Sequence, residues 1–157
     1  MAAATVADMD RELWSRITDT ITMSREHDRV TSREAFRSVW DDTPPTEHVL
    51  RCVIAHYAAD CEDAPEHERA WDESALREFE LAPEEGWAEV GIADPTGMLP
   101  SLHLNLADVA HRCGDVDVAR THLVLATEHL QRLPDDAYGA TVRTGVEGVR
   151  ERIGSAG

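Results

Sequence analysis

Lysine is missing from this chain altogether, so every basic residue is an arginine. Fifteen arginines face thirty-one aspartates and glutamates, which leaves a formal charge of −16. A surface this acidic repels a phosphate backbone over most of its area, and a nucleic-acid role is disfavoured. The same charge attracts basic proteins or peptides at long range, with a strong dependence on salt. Long hydrophobic runs are also missing. No stretch approaches the roughly 20 apolar residues that span a bilayer, and Met1–Thr5 opens the chain without a basic segment leading into an apolar core. No membrane role and no secretory leader are expected, and the expected compartment is the cytoplasm. Cysteine is scarce: Cys52, Cys61 and Cys113 are odd in number and share no C-x-x-C spacing. That argues against a disulfide framework or a zinc ribbon and for reduced thiols.

What the chain does contain is helical periodicity. A length of 157 residues with 42% hydrophobic content suits one domain with a real core. In the first segment, about 6–24, Val6, Met9, Leu13, Ile17 and Ile21 recur three or four apart and form one apolar stripe. Thr31-Ser-Arg-Glu34 has the form of a capping box and leads into Phe36, Val39 and Trp40. Pro44 disfavours helical geometry in Thr43 and should end that helix. A third helix can open at Pro44-Pro45 and carries Leu50, Val53, Ile54, Tyr57 and Cys61; a fourth runs from about Pro65 to Leu81. From Ala82 to Pro100 the pattern breaks into prolines and glycines, a long connection with one short helical turn around Glu84–Val90.

Beyond it, helices at about 100–113 and 115–133 are parted only by Gly114-Asp115. Gly114 suits a left-handed C-cap, Asp115 suits the next N-cap, and so short a join makes the two helices pack antiparallel. Pro134 closes the second of them. The last helix, about 135–153, carries Tyr138, Val142, Val146, Val149 and Ile153 on one face. Gly139, Gly145 and Gly148 weaken it, so it needs tertiary packing to persist, and a terminal cap is its natural role.

The stretch Leu104-Asn-Leu-Ala-Asp-Val-Ala-His-Arg-Cys-Gly-Asp-Val-Asp-Val-Ala119 resembles the tetratricopeptide repeat. Leu106, Ala107, Gly114, Asp115, Ala119, Leu123 and Ala126 stand where that family has its large, small and turn residues. Ala110 replaces the usual aromatic before the turn. The pattern has a physical reason: Ala107 and Ala119 let two helices approach closely while Leu106 and Leu123 fill the flanks. Offset by 52 residues, Ile54-Ala55, Ala58, Cys61 and Asp63 repeat the first half of the match, with Glu62 in place of the glycine. Trp71 and Ala75 continue it loosely. The resemblance implies an all-α fold, a short irregular array of about two antiparallel hairpins with flanking and capping helices, about seven helices in all. Its parts are N-terminal helices at 1–43, a degenerate hairpin at 44–81, the connection at 82–100, the better hairpin at 101–134 and a capping helix at 135–153.

In that family the first helix of each hairpin lines a concave, peptide-binding groove. The resemblance therefore implies that Leu104, Asn105, Asp108, His111 and Arg112 face a partner, with Cys52, Val53, His56 and Asp60 from the weaker copy. Asn105 falls where the family often bonds a peptide backbone through one donor and one acceptor. Arg112 is the only base in the set, so a ligand with basic groups opposite Asp60 and Asp108 suits it better than a terminal carboxylate. A second reading rests on His48, Cys52, His56 and Asp60, whose one-turn spacing can gather metal ligands on one helix face. A solvated polar stripe yields the same spacing. A third reading is a self-associating subunit, a homo-oligomer paired through exposed hairpin faces. No nucleophile motif or phosphate-binding glycine loop is present, so neither enzyme activity nor a cofactor is expected. Trp87, within the connection, either pins that segment or meets a partner.

Overall fold

The computed structural model describes residues 6–155, with side chains from Asp10 onward. The Met1–Thr5 opening and the stripe positions Val6 and Met9 lie outside the described side chains. The described residues form seven α-helices and no strand: α1 (Val6–Ser24), α2 (Arg29–Asp42), α3 (His48–Ala59), α4 (Pro65–Leu81), α5 (Leu99–Arg112), α6 (Val116–Glu128) and α7 (Ala137–Ser155). None is long and apolar enough to cross a membrane.

Local chemistry sets the ends. Helix α2 starts two residues before the expected capping box, because the Asp28 carboxylate accepts from both the Thr31 amide and the Thr31 hydroxyl at 2.9 Å. Asp28, not Thr31, is the N-cap. The helix stops at Thr43 as expected, and the buried Thr43 hydroxyl donates back to the Val39 carbonyl at 2.6 Å. Helix α3 opens at His48 and not at Pro44-Pro45, since each proline keeps the residue before it out of helical geometry and the pair makes a turn instead. Helix α6 ends in a tighter 3₁₀ turn at Leu130–Arg132.

The two central hairpins reverse in different ways. Gly114 adopts φ +82°, and the Asp115 amide donates to the Ala110 carbonyl at 2.9 Å, which closes α5 with the left-handed cap expected there. At the α3–α4 join, Cys61 and Glu62 bond back to Ala58 and Ala59 with no residue at positive φ. Five residues span that gap, 60–64, so no left-handed reversal is required and Glu62 can stand where glycine was missed.

Helices pack in order along the chain, each on the next, and α1 also touches α3 while α5 touches α7. Small residues make the close contacts. Ala107, Ala110 and Ala119 are fully buried and meet Val149 and Ile153 of α7; Ala55 and Ala75 form a second seam with Leu102. A larger core of Ile17, Ile21, Phe36, Val39, Leu50, Val53 and Ile54 joins α1, α2 and α3. Two buried carboxylates tie the elements together. Glu62 takes Arg37 at 3.1 Å and the Trp71 indole N–H at 3.0 Å; Glu78 takes His48 at 2.6 Å and Arg51 at 3.1 Å. Arg51 lies 3.6 Å over the Trp40 ring, which meets Trp71 edge-on.

The 82–98 segment is not a loose loop. Two 3₁₀ turns, Ala88–Val90 and Pro95–Met98, shape it. Trp87, only 3% exposed, is clamped by Val49, Cys52 and Phe79, so it pins the segment to α3. Ala110 stands where an aromatic was expected, with its neighbours already at α7. The variant Ala110→Phe should therefore lose roughly 1–3 kcal/mol by overpacking. A lower urea midpoint at unchanged slope would show it, and an unchanged midpoint would refute the tight seam.

Candidate functional site

The expected partner-facing residues divide sharply in the structure. Cys52 is a correction: it is fully buried against Val49 and Trp87, and burial together with the charge of Glu78 pushes its thiol up to about 12. A residue so placed lines no groove. The polar face expected for α3 is covered there by the connecting segment, whose reach the helical periodicity did not reveal. Val53 belongs to the N-terminal core, though its edge reaches a cleft. Asp60 is exposed at the end of α3, away from that cleft.

The α5 residues are engaged within the chain. Leu104 packs on α7, where Gly145 makes room: a Cβ there would stand 2.7 Å from Leu104 Cδ2. Asp108 accepts from Arg112 at 2.9 Å and from Arg152 of α7 at 2.5 Å. Arg112 also reaches Glu68 of α4 at 2.5 Å. Asn105 donates to the buried Asp72 at 3.5 Å, and His111 sits in a shallow depression with Glu151, Arg152 and Ser155. The flank expected to be open at α5 is filled by α7. The glycines that weaken α7 in isolation let it settle there.

The open concavity lies further toward the N-terminus. A cleft of about 610 Å³ runs between α1, α3, the connecting segment and the start of α7. Trp14, Ile21, Tyr57, Ile92, Met98 and Tyr138 give it an apolar and aromatic wall, and among its described lining residues Arg25 and Asp94 carry charge. A second depression of about 780 Å³ adjoins it and shares Trp14 and Val90. Its lining differs in character, because Asp10, Glu47, Glu85 and Glu89 converge there with Arg11 and His48. Together the two make one groove with largely apolar walls throughout, whose carboxylates gather in the second part.

Of the residues expected at a site, His56 is the one well placed in this groove. Its Nε2 lies 3.4 Å from the Ser101 hydroxyl, its ring meets Tyr57 edge-on, and its buried Nδ1 has no partner among the described residues. Burial pushes its pKa down to about 4, so the ring is neutral at pH 7. The Ser101–His56 pair is not an activated nucleophile. Ser101 is buried, the contact is long, and no described carboxylate orients the ring. The metal-ligand stripe also comes apart. His48 bonds Glu78, Cys52 packs under Trp87, His56 faces Ser101 and Asp60 is exposed, because four residues per step overshoot a helical turn and rotate each residue onward. Among the described residues no three His, Cys, Asp or Glu side chains are grouped to hold a metal ion.

Periodicity missed the groove's walls because they come from four separate segments. One signal was legible: Trp14 follows Leu13 directly, so α1 carries a large apolar residue off its main stripe. Comparisons with protein-family models, with curated proteins and with solved structures find no match for this chain. What the groove does is therefore read from its own residues.

The largest shifts between pH 4 and 8 fall on three buried groups. His56 and His103 are both pushed down to about 4 from an ordinary 6.5, His103 by burial and by the neighbouring His122 and His129. Unfolding lets both imidazoles take up protons below 6.5, so their contribution is complete above that pH and is lost as pH falls toward 4. Asp72 moves the other way. Burial and the charges of Glu68 and Asp60 push it up to about 8 from 3.8, so its contribution is present at low pH and fades as pH rises through 8. Two imidazoles outweigh one carboxyl below 6.5, and above it the carboxyl acts alone. Urea midpoints measured across pH should therefore peak near 6.5. Asp72→Asn should flatten the alkaline limb and steepen the acid limb, where its carboxyl no longer opposes the two imidazoles; an unchanged alkaline limb would refute the assignment.

Proposed function

We propose that this chain is a non-catalytic binding module of the tetratricopeptide-repeat type, which holds a peptide or protein segment in the groove between α1, α3 and the connecting segment. The observation that carries this reading is the continuity of the groove across Trp14 and Val90. Its two halves jointly exceed the roughly 1,000 Å³ upper end of small-ligand pockets, and an extended chain uses such a shape better than a compact molecule. The order of helix packing supports it as well. Each helix lies on the next, with α1 beside α3 and α5 beside α7, as in stacked hairpins whose first helices share a concave side. The groove takes its helical walls from α1, α3 and the start of α7. In this reading α7 closes the array at its far end, and the binding surface shifts from α5 toward α1 and α3. Three unpaired cysteines suit work in the reducing cytoplasm.

Affinity in such a groove comes from a few apolar anchors, here in the half lined by Tyr57 and Tyr138. Tyr138 offers a direct test, since it lines that half and is 44% exposed; its hydroxyl also bonds the buried Ser101, so an unchanged urea midpoint of the variant is part of the test. Random peptides displayed on phage and selected on the purified chain should yield binders that Tyr138→Arg weakens by about tenfold or more. Val124→Arg, on the outer side of α6 and 56% exposed, should leave them unchanged. Binders indifferent to Tyr138→Arg, or a selection that yields none, would overturn the reading.

A further inference from the structure

We infer that His103, His122 and His129 form an acid-sensitive latch, which holds the end of α6 on α5 and, through the turn that follows, the Pro134–Tyr138 side of the cleft. The latch belongs to the cleft's own wall and does not depend on what the cleft takes up.

The three rings come from two helices that lie side by side. His103 is buried on α5, while His122 on α6 and His129 at its end are half-buried. The Nδ1 atoms of His103 and His122 are 3.0 Å apart and their ring centres 5.2 Å apart, so these two nitrogens point at one another. One must carry a hydrogen and the other must be bare, and protonating both rings sets N–H against N–H and breaks the bond. His129 lies nearly parallel to His103, at 10° and 6.0 Å between centres, so a charge on one ring is felt by the next.

Among the described residues none of the three rings forms an ion pair with a carboxylate; the histidine pairs are His48–Glu78 and His67–Glu62. The charges around the rings are already matched. Arg69 and Glu73 of α4 both act on His122 and pair with each other. Arg150 of α7 bonds Thr127 and pairs with Glu147, and Arg132 of the following turn acts on Asp94. His103 is pushed down to about 4 by burial and by the other two rings, and burial and Arg69 push His122 down as well. Opening lets these rings take up protons below 6.5, so the latch holds above that pH and weakens as pH falls toward 4.

Little else holds the segment beyond it. From Leu130 to Tyr138 only Leu133 is buried, and Arg143 reaches the Leu133 and Pro134 carbonyls at a long 3.4 and 3.5 Å. Yet this segment borders the cleft. Pro134 and Tyr138 line it, and the Arg132 carbonyl backs onto Gly97, another lining residue. The Tyr138 hydroxyl also bonds Ser101, two residues from His103 on α5. Acid that parts the rings frees the end of α6, and that side of the cleft goes with it.

Amide hydrogen exchange, corrected for the chemical rate at each pH, reads this opening. Its reporters are the amides of Arg132 and Leu133, bonded within the turn, and of Gly139 and Ala140, bonded to Asp136. Protection at all four should fall by about tenfold or more from pH 7 to pH 5. His103→Gln keeps a hydrogen-bonding group facing His122 but takes no charge, so that fall should be lost. His129→Ala, at a half-buried position, should lower protection already at pH 7 and leave little further fall; it carries the test alone if His103→Gln does not fold. No fall in the wild-type chain, an equal fall in His103→Gln, or wild-type behaviour of His129→Ala would overturn the inference. So would a fall at Arg132 and Leu133 that leaves Gly139 and Ala140 protected, since the cleft wall would then stay in place.

Discussion

The burial of Trp87 is the constraint on which the groove depends. The connecting segment carries three glycines and two prolines between Ala82 and Leu99, and its two short 3₁₀ turns do not by themselves hold it against α3. Ordering a residue costs about 1–2 kcal/mol in backbone entropy, while a buried tryptophan contributes on the order of 3–5 kcal/mol. One indole therefore offsets only a few residues. Val90, Ile92 and Met98 must pack as well, and they do, each against a core cluster of α3 or α5. The wall of the groove is thus an extension of the hydrophobic core, and Cys52 lies beneath it for that reason. A side chain that looks free on a helical wheel becomes core once a non-helical segment lies over it.

The buried charges fix how the N-terminal helices sit on the rest. Glu62 is 4% exposed, yet it accepts from Arg37 of α2 and Trp71 of α4, and the Glu62 carbonyl takes Arg29. Removing Arg37 leaves a buried carboxylate short of a partner, which costs far more than the pair contributes while intact. Such contacts select one arrangement of α2 over α3 and α4, and through it the distance between α1 and α3. That distance is the width of the groove. Asp72 shows the opposite case. With one long bond from Asn105 and one bare oxygen, it is neutral at pH 7, because charging it there would be costly.

Much of the fold was legible because helix spacing and turn chemistry are local. The apolar stripe of α1, the Pro65–Leu81 span of α4 and the glycine cap at 114 all follow from residues within one or two turns of each other. Where the reading slipped, two local signals competed: Asp28 outranked Thr31 as a cap, and two prolines made a turn before α3 could start. The site was far less legible. Asn105, Asp108 and Arg112 look like a binding face on α5 alone, and only the position of α7 and α4 reveals that Arg152, Glu68 and Asp72 already engage them. His56 and the edge of Val53 were found; Trp14, Ile92 and Tyr138 were not, since no spacing rule links residues from four segments.

Net charge and local charge play different parts in this molecule. A charge of −16 raises encounter rates with any basic partner, but it is spread over the surface and discriminates poorly between partners. Discrimination requires a place where a partner meets more than charge. Glu62, Glu68, Glu78 and Asp108 are already matched by arginines of the same chain, so they add to the diffuse field without forming a distinct site. At the groove a partner meets apolar and aromatic walls as well, and there geometry adds to what charge alone supplies. Steering brings a basic chain to the surface. The aromatic wall of the cleft decides whether it stays, because an anchor buried there loses its water and contributes directly to a slow off-rate.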